Sequence, residues 1–388
     1  MRKIVHVIIA CFYKEGYGYQ ENLLPKKHKE LGYKVDIVTY NRPGRTTTPD
    51  IVPPAVYTNP DGIPVHLLAP NKSFWTRVPK LSIVQKETTG LYAKLEELTP
   101  DIIFVHGIGA LDNMEVIEYK KKHAEVQIFA DNHSDYYNAA VNTFQRKLLR
   151  WFYKITIGRA LSKYAEHIWG VTPWRVKYQE DVYGISHSKS GLLVMGGDES
   201  FINWDRKSQI RKEIRERLCI PDDSFVIISG GKIDRAKNIH HLVEAIQQLD
   251  NPSVHLILFG KIEDDISKLS QSFEKPFVRN VGWIGANDCY NYFLASDLAV
   301  FPGTHSVLWE QACAAGLPGV FKDWDGGFNH VDVGGNCILC KDCTTEGLRG
   351  TLQRVINTPL YFKMKDVAED KGIKTFSYIE IAKRSIGI

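Results

Sequence analysis

No stretch of this 388-residue chain is both long and apolar enough to cross a bilayer, which takes about 20 residues. Low-complexity segments and short internal repeats are also missing. With 44% hydrophobic and 24% charged residues, the composition argues against disorder. Cysteine is sparse and odd in number, seven residues unevenly spread. That fits reduced thiols in a cytosol better than a disulfide framework. Cys337, Cys340 and Cys343 have a metal-like spacing, but no fourth ligand follows at a matching distance. Structural zinc asks for four ligands, so the three are read as structural thiols. The opening run to Ala10 is too short, and too broken by His6, for a secretion signal. It is read as a first buried strand, and the protein is expected in the cytoplasm. Gly16-Tyr17-Gly18 lacks the third glycine of a dinucleotide fingerprint, which disfavours a Rossmann dehydrogenase.

What is present is a repeated alternation of short apolar runs and helical patterns. Strands are predicted near 3–10, 33–40, 64–69, 101–106, 126–130, 166–171 and 191–195. A second set is predicted near 225–229, 254–259, 278–283, 298–301 and 318–321. This pattern predicts α/β architecture with doubly wound parallel sheets, and the length suffices for two domains. The boundary is expected near Met195-Gly196-Gly197-Asp198. Up to residue 195 there are 26 Lys and Arg against 19 Asp and Glu, net +7, which leaves −3 for the rest of a +4 chain. Residues 40–62, rich in Pro, Thr, Asn and Gly, read as a long exposed loop of the kind that tends to be functional.

Two segments carry the chemistry. In the first, Phe225 to Ser229 reads as a buried strand, Gly230-Gly231 as a turn, and Asn238 as the cap of a helix bearing Ile239, Leu242, Val243, Ile246 and Leu249. Lys232 and Lys237, five residues apart, then face the crevice at the carboxyl end of the sheet, where Gly231 leaves room for a ligand. Two ammonium groups there suit a departing diphosphate. In the second, the strand Leu298 to Phe301 ends at Pro302-Gly303, and Thr304 or Ser306 is expected to cap a helix reaching Ala315, with Gly316 in the terminal cap. The amides of His305, Ser306 and Val307 would form an anion site. Glu310, one turn into the helix, would accept from two ribose hydroxyls. The alternative for Glu310 is an ordinary exposed helix glutamate.

Together these residues resemble the C-terminal half of retaining GT-B glycosyltransferases, especially glycosyltransferase family 4. Lys232 and Lys237 match the family's paired basic residues after a glycine turn. Ser296 to Gly303 loosely matches its Ala-Asp-hydrophobic-hydrophobic-x-Pro-Ser stretch. Glu310 matches the second glutamate of Glu-x7-Glu, Gly334-Gly335-Asn336 the turn before a strand, and Phe376 to Ala382 the closing helix. The resemblance is specific from about residue 190 onward. It implies a GT-B fold: two Rossmann-like doubly wound domains facing a central cleft. Residues 1–196 would bind the acceptor, 197–373 the nucleotide sugar, and a C-terminal helix over 374–388 would pack back on the first domain. One departure stands out. The family's first glutamate, eight residues before Glu310, is replaced by Pro302, and His305 or a backbone amide of the same loop is expected to contact the donor sugar instead.

In the first half, Ala130 to Asp135 follows a strand, and His133 matches a histidine that the family places near the donor sugar. Asp131 or Asp135 would fix its tautomer or bind acceptor hydroxyls. His106, at another strand end, is a weaker candidate. Gly16, Tyr17 and Gly18 resemble the family's glycine loop at the acceptor and phosphate. Between Phe144 and Tyr164, Lys147, Arg150, Trp151 and Lys154 share a helix face, with Leu148, Leu149, Phe152 and Ile155 turned to the core. That face suits either an anionic membrane surface or plain solvent. The expectation is a metal-independent transferase with no cofactor and no Asp-x-Asp at a strand end. Its donor would be a nucleoside diphosphate sugar and its acceptor a glycan or lipid-linked hydroxyl, with no nucleic-acid partner. An epimerase of the same fold and a catalytically silent nucleotide-binding subunit are the alternatives.

Overall fold

The computed structural model describes residues 1–41, 54–71, 86–136, 139, 143–263, 273–285 and 287–388. The chain divides into two compact units, Met1–Val194 with Ile381–Ile388, and Met195–Glu380. Val194/Met195 therefore separates them, at the start of the Met195–Asp198 stretch and two residues before 196/197.

Among its described residues the first unit is built on nine strands: β1 (Lys3–Ile8), β2 (Lys34–Tyr40), β3 (Ala55–Thr58), β4 (Pro64–Pro70), β5 (Thr88–Thr89), β6 (Ile102–His106), β7 (Gln127–Asn132), β8 (His167–Gly170) and β9 (Ser190–Leu192). Their order is β3-β4-β2-β1-β6-β7-β8-β9, with β5 paired to β4. β1, β2, β4 and β6 to β9 pair in parallel. β3 and β5 run antiparallel to β4, two edge strands that the apolar pattern does not reveal. β3 falls inside the expected loop of 40–62; residues 42–53 of that loop lie outside the described residues. Ile4, Val5, Val7 and Ile8 on β1 and Ile103, Phe104 and Val105 on β6 are wholly buried. Both faces of a central parallel strand are covered by helices, so near-continuous apolar runs are what such a strand needs. Strand order reverses between β1 and β6, which puts the loops after these strands at the crevice where open α/β sheets bind ligands.

The basic segment forms two helices, Thr143–Ile155 and Ile157–Tyr164, broken at Thr156. Leu149 and Phe152 pack on the core as expected. Leu148 and Ile155 do not. With Phe144 and Trp151 they are exposed, because a 3.6-residue period carries 144, 148, 151 and 155 to one outward stripe.

Among its described residues the second unit has six parallel strands: β10 (Phe225–Ile233), β11 (Val254–Ile262), β12 (Val278–Asn280), β13 (Leu298–Phe301), β14 (Gly319–Lys322) and β15 (Cys337–Cys340). They are ordered β12-β11-β10-β13-β14-β15, reversing between β10 and β13. Here β10 corrects the sequence reading. It runs four residues past Ser229, so Gly230 and Gly231 are strand residues paired with Phe259 and Gly260. These glycines serve close approach rather than a turn: a Cβ on Gly230 would lie 2.2 Å from the Phe259 carbonyl oxygen. The turn falls at Asp234–Asn238 instead, where Asp234 accepts from the Lys237 amide. All seven cysteines are free, and Cys340 and Cys343 belong to the apolar core. Helix Tyr378–Ser385 closes the chain; its residues from Ile381 onward belong to the first unit, where the Trp169 indole donates to the Ser385 carbonyl.

Candidate active site

In the second unit the two predicted segments are joined loop to loop at the β10/β13 switch point. Gly303 comes so close to the other loop that a Cβ there would meet the Ala236 carbonyl oxygen and the Lys237 Cα at 2.3 Å each. Only glycine fits. Three hydrogen bonds fasten the junction. The Thr304 amide donates to Ala236 O at 3.0 Å, Lys237 Nζ to Thr304 O at 2.6 Å, and Asn238 Nδ2 to Pro302 O at 3.0 Å. Asn238 thus sits at the cap position in left-handed backbone, but its side chain serves the other loop instead of capping its helix. Burial holds Lys237 below the ordinary lysine range, so an anion arriving at it gains a donor that is already partly desolvated. Lys232 is exposed beyond the end of the glycine pair.

The following helix, Leu308–Ala314, has Val307 in the N-terminal cap position, so neither Thr304 nor Ser306 caps it. Gly316 does close it, in left-handed backbone, as expected. Glu310 is wholly buried, which excludes the exposed-glutamate reading. Its Oε1 accepts from His305 Nε2 and from His330 Nε2, both at 2.8 Å. Burial alone would raise this carboxyl. The charge and hydrogen bond of His305, and those of His330, outweigh it and hold Glu310 well below the usual carboxylate range. Its Oε2 is buried without a partner, and so is the Ser306 hydroxyl. The His305 ring is stacked on Phe328 at 4.2 Å and 7° and is nearly buried. Its Nε2 is committed to Glu310, so the expected sugar contact from this nitrogen is replaced by a positioning role.

In the first unit β7 extends through Asn132, so Asp131 is a strand residue with no exposure, and His133 is the first residue beyond. Asp131 is saturated. Its Oδ1 accepts from the Gly107 amide at 2.9 Å and lies 3.4 Å from His133 Nε2. Its Oδ2 accepts from Gln20 Nε2 at 3.0 Å and lies 2.9 Å from His106 Nδ1. Burial would raise its carboxyl, but His106 and His133 carry it far below the usual range. Asp131 therefore anchors the imidazole beside it and is not open to an acceptor hydroxyl. Asp135 is turned to Arg175 at 3.3 Å. His106 is wholly buried behind Asp131, so it does not line a site directly. His133 is only part-buried, at 23% side-chain exposure; burial lowers its affinity for a proton, and Asp131 and Glu21 raise it above the ordinary value. Gly16, Tyr17 and Gly18 follow β1 at the same switch point. Gly16 has a φ of +77°. Tyr17 is exposed, stacked on Tyr19 and reached by Lys14 Nζ at 3.0 Å from its hydroxyl.

Two groups of side chains have metal-ligand spacing among the described residues, Cys11 with Glu21 and His133, and His305 with Glu310 and His330. In the first, burial pushes the Cys11 thiol well up, where a metal needs a thiolate. In the second, both imidazoles donate to one carboxylate oxygen, so the donor set is already used internally. The expectation about Asp-x-Asp is corrected: Asp323-Trp324-Asp325 follows β14 directly. The Trp324 indole of that tripeptide donates to Gly303 O at 3.4 Å.

Residues 210–374 match the model of the glycosyl transferases group 1 family. The lipopolysaccharide core biosynthesis glycosyltransferase LpsE of Rhizobium meliloti (strain 1021) is 25% identical over 203 residues, 48% of this chain and 58% of that protein. The chain spans about half the length of the curated relatives it matches. Among solved structures, a glycosyltransferase from Rickettsia africae superposes with a TM-score of 0.70 at 13% identity, covering 99% of this chain and 96% of that one. HepE of Anabaena, solved in complex with UDP, gives 0.68 at 16% identity, covering 99% and 98%. The fold is the GT-B fold of these glycosyltransferases. The group 1 segment contains Lys232, Lys237, Gly303 and Glu310. It also contains His330 and Phe328, which the sequence reading did not single out. They lie between β14 and β15 with no spacing or turn signal that would have drawn attention to them.

Proposed function

We propose that the protein moves a sugar from a nucleoside diphosphate sugar to an acceptor hydroxyl, with retention at the anomeric carbon and without a metal. The acceptor class is a glycan or lipid-linked sugar of the cell surface. One observation carries the reading: a buried, ionised Glu310, with Oε2 unpartnered, stands beside a loop junction that holds Lys237. A buried carboxylate oxygen without a donor is costly. Two ribose hydroxyls would satisfy it. Lys237 and Lys232 would hold the diphosphate and stabilise its charge as it leaves. His133, aligned by Asp131, would hydrogen-bond the donor sugar. With Pro302 in place of a carboxylate, the sugar would be held by backbone amides of 303–307 and not by a glutamate.

The exposed stripe of Phe144, Leu148, Trp151 and Ile155, flanked by exposed Lys147, Arg150 and Lys154, supports docking on an anionic membrane, where a lipid-linked acceptor resides. No described helix is long and apolar enough to cross a membrane.

The test is incubation with a panel of nucleotide sugars, with and without lipid-linked and soluble glycan acceptors. Acceptor-dependent release of nucleoside diphosphate, with an α-donor giving an α-product, is the expected result. Conversion of the sugar to its epimer without acceptor would make the protein an epimerase, and binding without turnover a silent subunit. Either would overturn the proposal.

A further inference from the structure

The second unit carries a groove that the proposed chemistry does not use. It lies between helix Lys207–Arg217, helix Cys289–Ala295 and the loop after β12, and has a volume of about 560 Å³. That falls within the roughly 300–1,000 Å³ of small-molecule sites. β12 is the edge strand of its sheet, with β11 between it and β10 at the switch point. Lys232, Lys237, Gly303 and Glu310 take no part in lining this groove.

Its lining pairs an exposed indole with planar polar groups. Trp283 is 78% exposed, and among the large apolar side chains of the described residues only Met1 is more so. A tryptophan left in water forgoes the area it would otherwise bury. Arg206, Glu213, Arg217, Asp288 and Asn291 stand around it. Their formal charges cancel, two positive and two negative, so the groove selects neither an anion nor a cation. Arg206 lies 3.9 Å from Glu213 Oε1. Arg217 donates to the Tyr292 hydroxyl at 3.0 Å, with its guanidinium 5.5 Å from the centre of that ring. Asp288 holds the cap position of helix Cys289–Ala295, but its side chain makes no cap bond. Asn291 Oδ1 is buried with no hydrogen-bond partner. That state is costly, and an arriving O–H or N–H donor relieves it.

We propose that this groove binds a neutral saccharide, at a site separate from the donor pocket. A pyranose ring has a face of C–H groups and an edge of hydroxyls. The C–H face packs on the exposed indole, whose π-face carries partial negative charge. The hydroxyls both donate and accept, and carboxylate, carboxamide and guanidinium groups offer them the matching partners. One hydroxyl donating to Asn291 Oδ1 satisfies the orphaned oxygen. A hydrocarbon chain would fill the volume but leave that oxygen unanswered. A phosphate would meet Glu213 and Asp288 along with the two arginines. Binding here requires neither a nucleotide sugar nor turnover.

The test is titration of the full chain, without donor, with neutral trisaccharides of glucose, mannose, galactose or N-acetylglucosamine, followed by saturation-transfer NMR on the sugar protons. It reads binding alone, so its failure is distinguishable from failure of the transferase reading. Saturable binding of at least one trisaccharide is expected, at the same affinity with and without excess UDP or GDP. Trp283→Ala should weaken it by about tenfold, as loss of a stacked aromatic contact implies, and Asn291→Ala should weaken it as well. The indole is exposed, so Trp283→Ala keeps the fold. No saturable binding, or wild-type affinity in either variant, overturns the proposal. So does displacement of the sugar by UDP or GDP, which would make the groove part of the donor pocket. A concentration-dependent dimer abolished by Trp283→Ala would make the tryptophan a contact between copies of the chain and overturn it too.

Discussion

Each unit places one buried carboxylate between two imidazoles at its switch point, Asp131 with His106 and His133, Glu310 with His305 and His330. The two differ in what is left over. Asp131 has donors or imidazole nitrogens on both oxygens. Glu310 collects both imidazoles on Oε1 and leaves Oε2 bare. A saturated buried carboxylate is a structural anchor, whereas a half-satisfied one is prepared for a ligand that brings hydroxyls.

The largest effect expected from this contrast is on stability. Asp131→Ala leaves His106, Gln20 and the Gly107 amide facing an empty site, and removal of one member of a buried charged pair costs about 3–5 kcal/mol. Denaturant unfolding reads this. The same substitution should leave nucleoside diphosphate affinity of the folded protein unchanged, and a tenfold loss there would break the distinction.

Acid should separate the units next. The folded-state values of His6 and His28 lie below the ordinary 6.5, His28 at about 4. Between 6.5 and 4 the unfolded chain binds protons that the folded chain refuses, so stability is complete above 6.5 and falls as pH drops through that window. For His28 the loss is on the order of 3 kcal/mol. Glu310 has a folded-state value below the ordinary 4.5, so its contribution is lost only as pH falls below 4.5. Hydrogen exchange followed from pH 7 to 4 should show the first unit loosening before the second; the reverse order would contradict this assignment.

Glu310→Gln should lower nucleoside diphosphate affinity by about 1.5–3 kcal/mol, the value of a hydrogen bond to a charged group, and should also lower stability, because the amide gives up the charge that His305 and His330 hold. The two lysines should be unequal. Lys237 is part of the loop junction and partly buried, so Lys237→Ala should lower turnover and melting temperature together. Lys232 is exposed, and Lys232→Ala should lower turnover alone, by about 1 kcal/mol in the barrier, because a solvated charge is screened. Equal losses of turnover in both variants would remove that ranking.

The parallel strands were legible because a buried central strand demands consecutive apolar residues, as in Phe225 to Ile228 and Leu298 to Phe301. The short antiparallel edges β3 and β5 were not, since an edge needs no such run. Glu310, Lys232, Lys237 and His133 were legible from spacing and position at strand ends. The extension of β10 through Gly230-Gly231 was hidden because glycine also signals a turn, and only the approach of Phe259 and Gly260 shows which use applies. His330, Gln20, His6 and His28 carried no signal: they reach Glu310, Asp131 and each other through tertiary folding, across separations of up to 111 residues. The split of Leu148 and Ile155 from Leu149 and Phe152 turned on helical phase, which a composition-level reading of a basic segment does not fix.

The central claim is that Glu310, not Asp131, is the carboxylate prepared for a ligand. Calorimetric titration of the full chain with a panel of nucleoside diphosphates, in wild type, Glu310→Gln and Lys237→Ala, tests it most directly. Saturable binding of at least one nucleotide, weakened tenfold or more by Glu310→Gln, is the predicted result. The same affinity in wild type and Glu310→Gln would contradict it.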